Sequence, residues 1–304
     1  MNELRSIVKG SLLENEPMSK HTSYGIGGPA IAYITPKDRN DIYNILIFAT
    51  KFEIPVYFIG SGSNLLVSDN GIKGIVLSPA KSLKFFKIEN NSIIAESGVM
   101  LGKLVKESIK RNLTGLESLI GVPGTLGGAL VMNAGAFGGE ISNYLISVDI
   151  MTSKGELKSY KSKDIDFSYR FSSFRTDEFI LLARFELKSE SPEIISKKRQ
   201  QASSGRKTNQ PLRFRSAGSV FKNPKKYAAG YLIDKVGLKG KRIGDAEIST
   251  HHANFFINHG NASSSEITEL IRIAKKEVYE KFNIKLELEI KTIGFEKNQI
   301  EAYG

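Results

Sequence analysis

Two glycine-rich segments and three isolated polar side chains carry the residue types in this chain that could take part in chemistry. The longer segment, residues 115–140, has eight glycines among its 26 residues and no Lys or Arg, and apolar residues separate the glycines. Glycine lets a backbone approach a ligand closely and take positive φ. The composition therefore predicts backbone wrapped around a large, flat, partly apolar cofactor. A glycine-rich loop cluster without a ligand would have the same composition.

The shorter segment is GSGSN, residues 60–64, which follows a predicted buried strand. A Rossmann fingerprint would need a third glycine where Leu65 stands, and a helix where LLVS and GIVL favour strands. A Gly/Ser loop between strands can still bind phosphate through its backbone N–H groups and polar side chains. The loop predicts phosphate binding without a Rossmann topology, and a plain hairpin turn is the alternative.

The three polar side chains are Arg170, Ser219 and Glu289, and each also has an ordinary structural interpretation. Arg170 stands between two aromatic residues, which suits a cation–π contact. Ser219 lies in a turn of small residues without a GxSxG elbow, so it is not predicted to be an acyl-transfer nucleophile. Glu289 shares the outward face of the last predicted strand with Glu287. Residue type alone does not decide between a structural and a chemical role for these three side chains.

Composition limits the remaining chemistry. A chain of 304 residues suggests about two domains. The absence of cysteine excludes disulfides and thiol chemistry and fits a cytoplasmic location. His251 and His252 are neighbours without a third ligand at metal-binding spacing, so no metal site is expected. No stretch reaches the roughly 18 apolar residues of a membrane span, and the N-terminus lacks the apolar core of a secretory signal.

The net charge of +11 is concentrated in one region, since residues 197–242 hold fourteen Lys and Arg against one acid. Such a segment can bind nucleic acid, an anionic surface or a polyanionic small molecule, or it can be a solvated basic face. Single-stranded nucleic-acid binding would call for exposed aromatic residues among the cations. The few aromatics here fall at motif positions instead, so no nucleic-acid partner is expected.

The elements that must position these residues follow from apolar spacing. Helical spacing predicts a lead-in helix over residues 1–20 and helices over 37–52, 99–111, 228–236 and after Ser263, with another after residue 191. Strand patterns occur at 30–35, 56–60, 179–189 and 285–294, and a Lys-Gly turn predicts a hairpin at 147–160. The chain therefore divides into a strand-rich region up to about residue 190 and a smaller α+β region from about 200.

Five motifs in a fixed order give the chain a family resemblance. They are IGSGSNLLVSDNGIKGIVL, GVPGTLGGALVMNAGAFGGEI, FSYRFSSF, SAGSVFKNP and LELEIKTIG. Together they resemble the UDP-N-acetylenolpyruvoylglucosamine reductases, in the shorter subtype that lacks a Tyr-bearing loop insertion. The resemblance implies an α+β fold with a vanillyl-alcohol-oxidase-type (PCMH-type) FAD-binding domain in two lobes. It places an N-terminal lead-in at 1–21, the FAD-binding domain at 22–189 and a smaller α+β substrate-binding domain at 200–304.

The same resemblance implies the activity. Bound FAD, reduced by NADPH, would reduce the enolpyruvyl ether of UDP-N-acetylglucosamine-enolpyruvate to UDP-N-acetylmuramate in peptidoglycan precursor synthesis, and so serve cell-wall biogenesis, cell shape and division. FAD is expected to be non-covalent, although some enzymes of this fold tether it through a histidine and His21 is available. The enzyme is expected to be a cytoplasmic monomer acting on a UDP-sugar. The alternative is another FAD oxidoreductase of this fold, such as an alcohol-type oxidase.

The resemblance also implies roles for individual residues. Arg170 would stabilise the negative charge that develops on the substrate, Ser219 would donate a proton, and Glu289 would orient Arg170 or stabilise the enol. Substrate contacts are expected from Gln210, Asn223, His252 and Lys291. The expected FAD-binding residues are Gly60, Ser61, Gly62, Ser63, Asn64, Gly121, Pro123, Gly124, Thr125, Gly127, Gly128, Asn133, Ala134 and Gly135.

Overall fold

The chain folds into two compact units whose segments alternate along the sequence. The computed structural model describes residues 1–296, apart from the side chain of Lys207. Unit 1 contains Met1–Glu14, Ala32–Ser61 and Gly74–Arg206. Unit 2 contains Asn15–Ile31, Gly62–Lys73 and the chain from Lys207 onward. The domain boundaries expected from the sequence are contiguous stretches, and they stay a prediction.

Most of the helices fall where the sequence predicts them. In the described part of the chain they are α1 (Asn2–Ile7), α2 (Arg39–Lys51), α3 (Leu101–Lys110), α4 (Leu126–Val131), α5 (Pro192–Asn209), α6 (Ala229–Lys235) and α7 (Ser264–Phe282). The Ser-rich cap expected before α7 is a capping box: the Ser263 hydroxyl accepts from the Glu266 N–H, and the Glu266 carboxylate accepts from the Ser263 N–H. Within residues 1–296, no helix is long and apolar enough to cross a membrane.

Unit 1 is built on two sheets. The first has the order β1–β2–β5–β3, from β1 (Ser11–Pro17), β2 (Pro29–Thr35), β3 (Val56–Phe58) and β5 (Ile72–Leu77), and the unit boundary falls within β1, β2 and β5. The second is antiparallel with the order β12–β11–β15–β7–β6, from β6 (Phe86–Glu89), β7 (Ser92–Glu96), β11 (Leu145–Thr152), β12 (Leu157–Lys161) and β15 (Glu178–Glu186). The predicted 147–160 hairpin is the β11–β12 pair, so that prediction is confirmed.

Unit 1 also has two separate hydrophobic cores, as a domain in two lobes requires. One core packs α1 and α2 with residues such as Ile34, Ile42 and Leu77. The other packs α3 and α4 with residues such as Leu104 and Leu130. Short two-stranded pairs complete the unit: β8 (Leu113–Thr114) with β16 (Lys188–Ser189), β9 (Gly135–Ala136) with β10 (Gly139–Glu140), and β13 (Phe167–Ser168) with β14 (Phe171–Ser172).

Unit 2 has one core, formed mainly by α6, α7 and the strands beside them. Its sheets are β17 (Arg242–Ile243), β18 (Ala246–Ile248) and β19 (Phe256–Asn258) in that order, and β4 (Leu65–Val67) paired in parallel with β20 (Lys291–Ile293). Apolar residues of α7, among them Ile267, Leu270 and Val278, are fully buried in this core. Unit 2 therefore combines helices and short strands, from Asn15–Ile31, Gly62–Lys73 and the chain from Lys207 onward.

Two predicted elements differ from the structure. The lead-in over residues 1–20 is α-helical only in α1 and has a 3-10 helix at Met18–His21. Between them, Ser11–Pro17 alternates between exposed and partly buried positions, which is the period of a strand. The strand predicted over 285–294 is regular only in β20, although an isolated bridge joins Leu288 to Phe221. Its alternation is real, since Leu286 and Ile290 are buried while Glu287 is exposed.

Candidate active site

The long glycine-rich segment is fastened to the core of unit 1 by backbone hydrogen bonds. The N–H of Leu126 donates to Val99 O at 2.8 Å, and the N–H of Gly127 donates to Ser97 O at 2.9 Å. In the opposite direction, the Leu101 N–H donates to Gly124 O at 3.0 Å. These bonds hold α4 and its N-cap against the connection between β7 and α3, so the segment is not a free loop.

Several glycines of the two segments stand where a side chain would not fit. A Cβ added at Gly60 would overlap the Thr125 hydroxyl, and one at Gly127 would lie 3.0 Å from Ser97 Cβ. Gly121 and Gly124 have φ of +77° and +128°, a region that favours glycine. Gly60 and Thr125 come from the two different glycine-rich segments, so unit 1 brings these predicted cofactor-binding segments into contact.

Buried polar atoms without partners line this region. Among the described residues of unit 1, Ser97 Oγ, Ser118 Oγ, Asn133 Oδ1 and Arg206 Nε are buried without a hydrogen-bond partner. Ser118 and Asn133 belong to the segment, and Ser118 lies beside Gly139. Ser97 and Arg206 come from outside it and lie beside Gly127 and Gly121. Buried polar groups in folded proteins are nearly always paired. Unpaired groups around close-packed glycines fit a polar dinucleotide such as FAD.

Arg170 is held beside this segment by a two-residue hairpin turn. It lies between β13 and β14 with φ of +56°, and its Cζ is 5.0 Å from the centre of the Tyr169 ring. One guanidinium nitrogen lies 3.5 Å from the position that a Cβ of Gly135 would take. The cation–π contact considered from the sequence is present, and it coexists with a position next to a predicted cofactor-binding residue.

Two side-chain hydrogen bonds fix the hairpin of Arg170 to the glycine-rich segment. Asn133 Nδ2 donates to Ser168 O at 3.1 Å, and Ser172 Oγ donates to Val131 O at 2.7 Å. Asn133 Nδ2 also donates to Glu140 Oε2 at 2.8 Å, and Asn133 is fully buried with φ of +40°. Asn133 therefore links the hairpin of Arg170 to the glycine-rich segment.

In unit 2, Ser219 and Glu289 lie on adjacent backbone segments. The Glu289 N–H donates to Val220 O at 2.8 Å, and the Lys222 N–H donates to Glu287 O at 2.8 Å. On its other side, the segment that carries Ser219 bridges Phe255. The two predicted catalytic residues thus sit in one small sheet-like arrangement, 70 residues apart in sequence.

The last residue of the GSGSN loop anchors the backbone around Glu289. Asn64 Nδ2 donates to Glu289 O at 3.1 Å, and the Lys291 N–H donates to Asn64 O at 2.9 Å. These contacts continue the parallel pairing of β4 with β20. Asn64 is therefore a positioning residue in unit 2.

The two carboxylates on the predicted outward face lie in different environments. The Glu287 side chain is 76% exposed, and its carboxylate lies 3.6 Å from Lys222 Nζ. Glu289 is partly buried. Water and a surface ion pair therefore satisfy the Glu287 carboxylate. This difference agrees with the prediction that Glu289, and not Glu287, is the functional carboxylate.

The residues predicted to contact substrate occupy several places in unit 2. Asn223 Oδ1 accepts from the Ala229 N–H at 3.0 Å and so shapes the turn before α6. His252 is partly buried, its Nδ1 accepts from the Asn254 N–H at 3.2 Å, and burial lowers the pKa of its imidazole. Gln210 lies just after α5, where its carbonyl accepts from Leu212.

Lys291 and Lys222 form a positive region beside the Ser219 segment. The pKa of Lys291 is lowered, first by partial burial of its ammonium group and then by the nearby charge of Lys222. Within residues 1–296, no cluster of three or more His, Asp or Glu side chains could hold a metal ion. Lysine ammonium groups thus supply positive charge in this part of unit 2.

Two residues beside the predicted site residues, Asn254 and Arg206, were not predicted from the sequence. Asn254 accepts from the Phe221 N–H at 2.9 Å and donates to Phe221 O at 2.8 Å, which fixes the backbone beside Ser219. Arg206 reaches the glycine-rich segment from α5. Neither has a local sequence signal, because an Asn in a turn and an Arg in a polar helix are ordinary.

The comparisons with known proteins agree with this geometry. Residues 30–160 match the FAD binding domain family, and residues 210–293 match the family described as UDP-N-acetylenolpyruvoylglucosamine reductase, C-terminal domain. The fold and the site thus define an FAD-containing oxidoreductase. The chain is 42% identical over 283 residues to a UDP-N-acetylenolpyruvoylglucosamine reductase of Syntrophomonas wolfei, with 93% of this chain and 95% of the relative covered. The chain belongs to the UDP-N-acetylenolpyruvoylglucosamine reductase family.

Two further relatives give the same result. The enzyme of that name from Caldanaerobacter subterraneus is 41% identical over 296 residues, covering 97% of this chain and 98% of the relative. The crystal structure of UDP-N-acetylenolpyruvylglucosamine reductase from Thermus caldophilus is 33% identical, with a TM-score of 0.81, and covers 94% of this chain and 99% of that one. The expected family, fold class and FAD cofactor are confirmed, while the individual site residues stay predictions.

The Gly60–Thr125 contact gives a test of how closely the two glycine-rich segments pack. Gly60→Ala should lower the free energy of unfolding by about 1–3 kcal/mol, because the added methyl overlaps the Thr125 hydroxyl. Combining Gly60→Ala with Thr125→Ala should recover part of that loss, as a double-mutant cycle in urea would show. Gly102→Ala is the control, since Gly102 lies in α3 with nothing within 4 Å and should gain stability. Strictly additive effects would contradict the contact.

Proposed function

We propose that this chain catalyses the NADPH-dependent reduction of the enolpyruvyl ether of UDP-N-acetylglucosamine-enolpyruvate to UDP-N-acetylmuramate, a step in peptidoglycan precursor synthesis. The observation that carries the proposal is the family match over nearly the whole chain, with an FAD binding domain and the reductase C-terminal domain in sequence. FAD, when bound, supplies the hydride-transfer chemistry, taking hydride from NADPH and delivering it to the substrate.

The glycine-rich segments bind FAD through their backbone in this proposal. Gly60–Asn64 holds the phosphates, and Gly121–Gly135 follows the remainder of the cofactor. The close contact of Gly60 with Thr125, the positive φ of Gly121 and Gly124, and the unpaired buried polar atoms support this placement. Backbone N–H groups that are already fixed lose little freedom when an anion binds them.

Arg170 stabilises the negative charge that develops on the substrate. Addition of hydride at the methylene carbon of the enolpyruvyl group leaves an enolate-like charge next to the substrate carboxylate. A guanidinium group fixed in advance stabilises such charge without reorganisation during the reaction. The hairpin turn, the Tyr169 ring and the bonds through Ser168 and Ser172 hold Arg170 in this way.

Ser219 donates the proton that completes the reduction. A serine hydroxyl is a very weak acid, so its conjugate base needs a positive surrounding. Lys222 and Lys291 supply two ammonium groups in the same part of unit 2. Glu289, on the backbone segment hydrogen-bonded to Val220, stabilises the enol.

We also propose that the enzyme is a cytoplasmic monomer that does not bind nucleic acid. The fourteen cations of residues 197–242 suit a substrate with a diphosphate and a carboxylate, and NADPH with its extra phosphate. Light scattering after size-exclusion chromatography would test the monomer directly.

The absorption spectrum of the purified protein tests the proposed function. We expect flavin bands that bleach when NADPH is added without oxygen and return when the enolpyruvyl substrate follows. If the bands return without the enolpyruvyl substrate, the experiment would not identify that compound as the acceptor of the electrons. A flavin that NADPH does not reduce, but that a primary or secondary alcohol reduces and oxygen rapidly reoxidises, would replace the reductase with an alcohol-type oxidase.

Replacement of Ser219 separates the two half-reactions. Ser219→Ala should leave flavin reduction by NADPH within about threefold of wild type and slow oxidation by the substrate about 10³-fold, because only the second step needs the proton. Stopped-flow absorbance measures both steps. Ser265→Ala, at an exposed position in α7, is the control and should change neither. Slow flavin reduction in Ser219→Ala would contradict the role.

The two carboxylates of the last segment should respond differently. Glu289→Gln should slow oxidation by the substrate at least 10²-fold, because it removes a charge that acts on the reacting groups. Glu287→Gln should stay within about twofold of wild type, since Glu287 is exposed and takes part only in a surface ion pair. Steady-state kcat measures both variants. Equal losses would show that the register assigned to the catalytic carboxylate is wrong.

A further inference from the structure

An open groove lies on one face of the five-stranded sheet of unit 1, and the proposed function makes no use of the residues that line it. Its volume is about 510 Å³, which falls within the range of small-molecule sites. The lining consists of three serines, two lysines, an arginine, an aspartate and two apolar residues. All of them belong to β11, β12, β15 or the 3-10 turn that follows β12.

A row of three polar side chains crosses the sheet at this groove. Ser147 of β11 stands opposite Lys161 of β12 on one side and opposite Arg184 of β15 on the other. Residues opposite one another on neighbouring strands share a face of the sheet. The residues that alternate with them, Val148 and Ala183, are fully buried in the core that packs α4. The groove and the glycine-rich segment therefore lie on opposite faces of this sheet.

A β-bulge adds an apolar side chain to the groove. β15 has no residue opposite Ile146, because the register of β11 against β15 shifts between Leu145 and Ser147. A bulge bends its strand and changes the direction of the side chain that it carries. Ile146 is 51% exposed and, together with Leu145, forms the apolar part of the lining. The groove therefore offers surface for the organic part of a ligand as well as for its charge.

The single acid of the lining is already neutralised. Asp149 forms a bidentate pair with Arg184, with both nitrogen–oxygen distances at 2.9 Å, and accepts from the Ser159 hydroxyl at 2.9 Å. The Arg184 guanidinium, first among several causes, holds the pKa of the Asp149 carboxyl below its usual range. Three cations against one acid leave the lining with a net charge of +2, which Lys161 and Lys163 supply.

The two lysine ammonium groups form no ion pair among residues 1–296. Asp164, which follows Lys163 in the chain, accepts from the backbone N–H of Lys161 at 3.1 Å. By contrast, Lys158 lies on the opposite face of β12, and its ammonium group is 3.2 Å from the Glu156 carboxylate. An anion in the groove would therefore find two cations without displacing an existing ion pair.

We propose that this groove is a separate ligand site, which binds the phosphate groups of a small phosphorylated molecule about as large as a nucleotide. Lys161 and Lys163 hold the phosphate oxygens as point charges. The hydroxyls of Ser147 and Ser162 donate hydrogen bonds to the same oxygens, and Ile146 packs against the organic part of the ligand. The site is independent of the proposed function, because its residues belong neither to the cofactor-binding nor to the substrate-binding set.

Protection of lysine side chains from reductive methylation tests the site in the FAD-loaded protein. Peptide mass spectrometry reports each lysine separately, so an anion bound at the reductase site is not counted. At ten times its Kd, pyrophosphate should slow methylation of Lys161 and Lys163 about tenfold, because only about a tenth of the sites are then free. Adenosine diphosphate should protect at a lower concentration, since its adenosine packs on Ile146. Lys158 is the internal control and should react at an unchanged rate.

Substitution of one lysine, with the other as the reporter, tests the charge. In Lys161→Met, protection of Lys163 should require about tenfold more pyrophosphate, because one of two charge-assisted contacts is lost. Lys158→Met is the matched control on the same strand and should leave the protection of Lys163 as in wild type. Both variants should keep the thermal midpoint and the rate of flavin reduction by NADPH, since both side chains are on the surface.

Two results would overturn the inference. Methylation rates of Lys161 and Lys163 that neither phosphate compound changes, or equal protection of Lys158, would show a solvated basic surface. Protection by polyglutamate without protection by pyrophosphate or adenosine diphosphate would show a surface for an acidic protein instead. A flavin that NADPH does not reduce would overturn only the proposed function, because the protection experiment involves no turnover.

Discussion

The close approach of glycine backbone to neighbouring backbone and side chains in unit 1 is the constraint on which the site depends. The segment around α4 is held by hydrogen bonds to Ser97, Val99 and Leu101, and Gly60 leaves no room for a side chain against Thr125. Because the segment is hydrogen-bonded to the connection between β7 and α3, its glycines form a fixed surface. A dinucleotide can therefore bind close to the main chain without first ordering a loop.

The charges of unit 1 are arranged around that surface. Glu117 is buried, and although burial would raise its pKa, hydrogen bonds from Thr114 and nearby backbone N–H groups hold that pKa below the usual range. Its ion pair with Lys198 fastens α5 in place. Among the described side chains of this helix, Arg206 has a buried Nε without a hydrogen-bond partner.

In unit 2, hydrogen bonds fix the backbone that carries the two predicted catalytic residues, Ser219 and Glu289. The Ser219 segment is held by Asn254 on one side and by residues 287–289 on the other. Asn64 connects the end of the GSGSN loop to the carbonyl of Glu289. A substitution that shifts one of these segments would therefore move a predicted cofactor-binding residue and a predicted catalytic residue together.

The sequence by itself determined the elements and the chemistry that is local in the chain. Apolar spacing located α2, α3, α6 and α7, the missing third glycine at Leu65 excluded a Rossmann site, and motif order identified the family. The predicted elements were wrong at residues 11–17 and 285–290, where strand-like burial depends on neighbours distant in sequence.

Only the tertiary structure decided which residues meet. The contacts of Asn64 with Glu289 and of Arg206 with Gly121 join residues 225 and 85 positions apart, and no local pattern encodes them. The difference in exposure between Glu287 and Glu289 likewise arises from packing, since both occupy the same face of an alternating pattern. Sequence periodicity specifies which face a residue occupies, whereas its partners follow from how the chain packs.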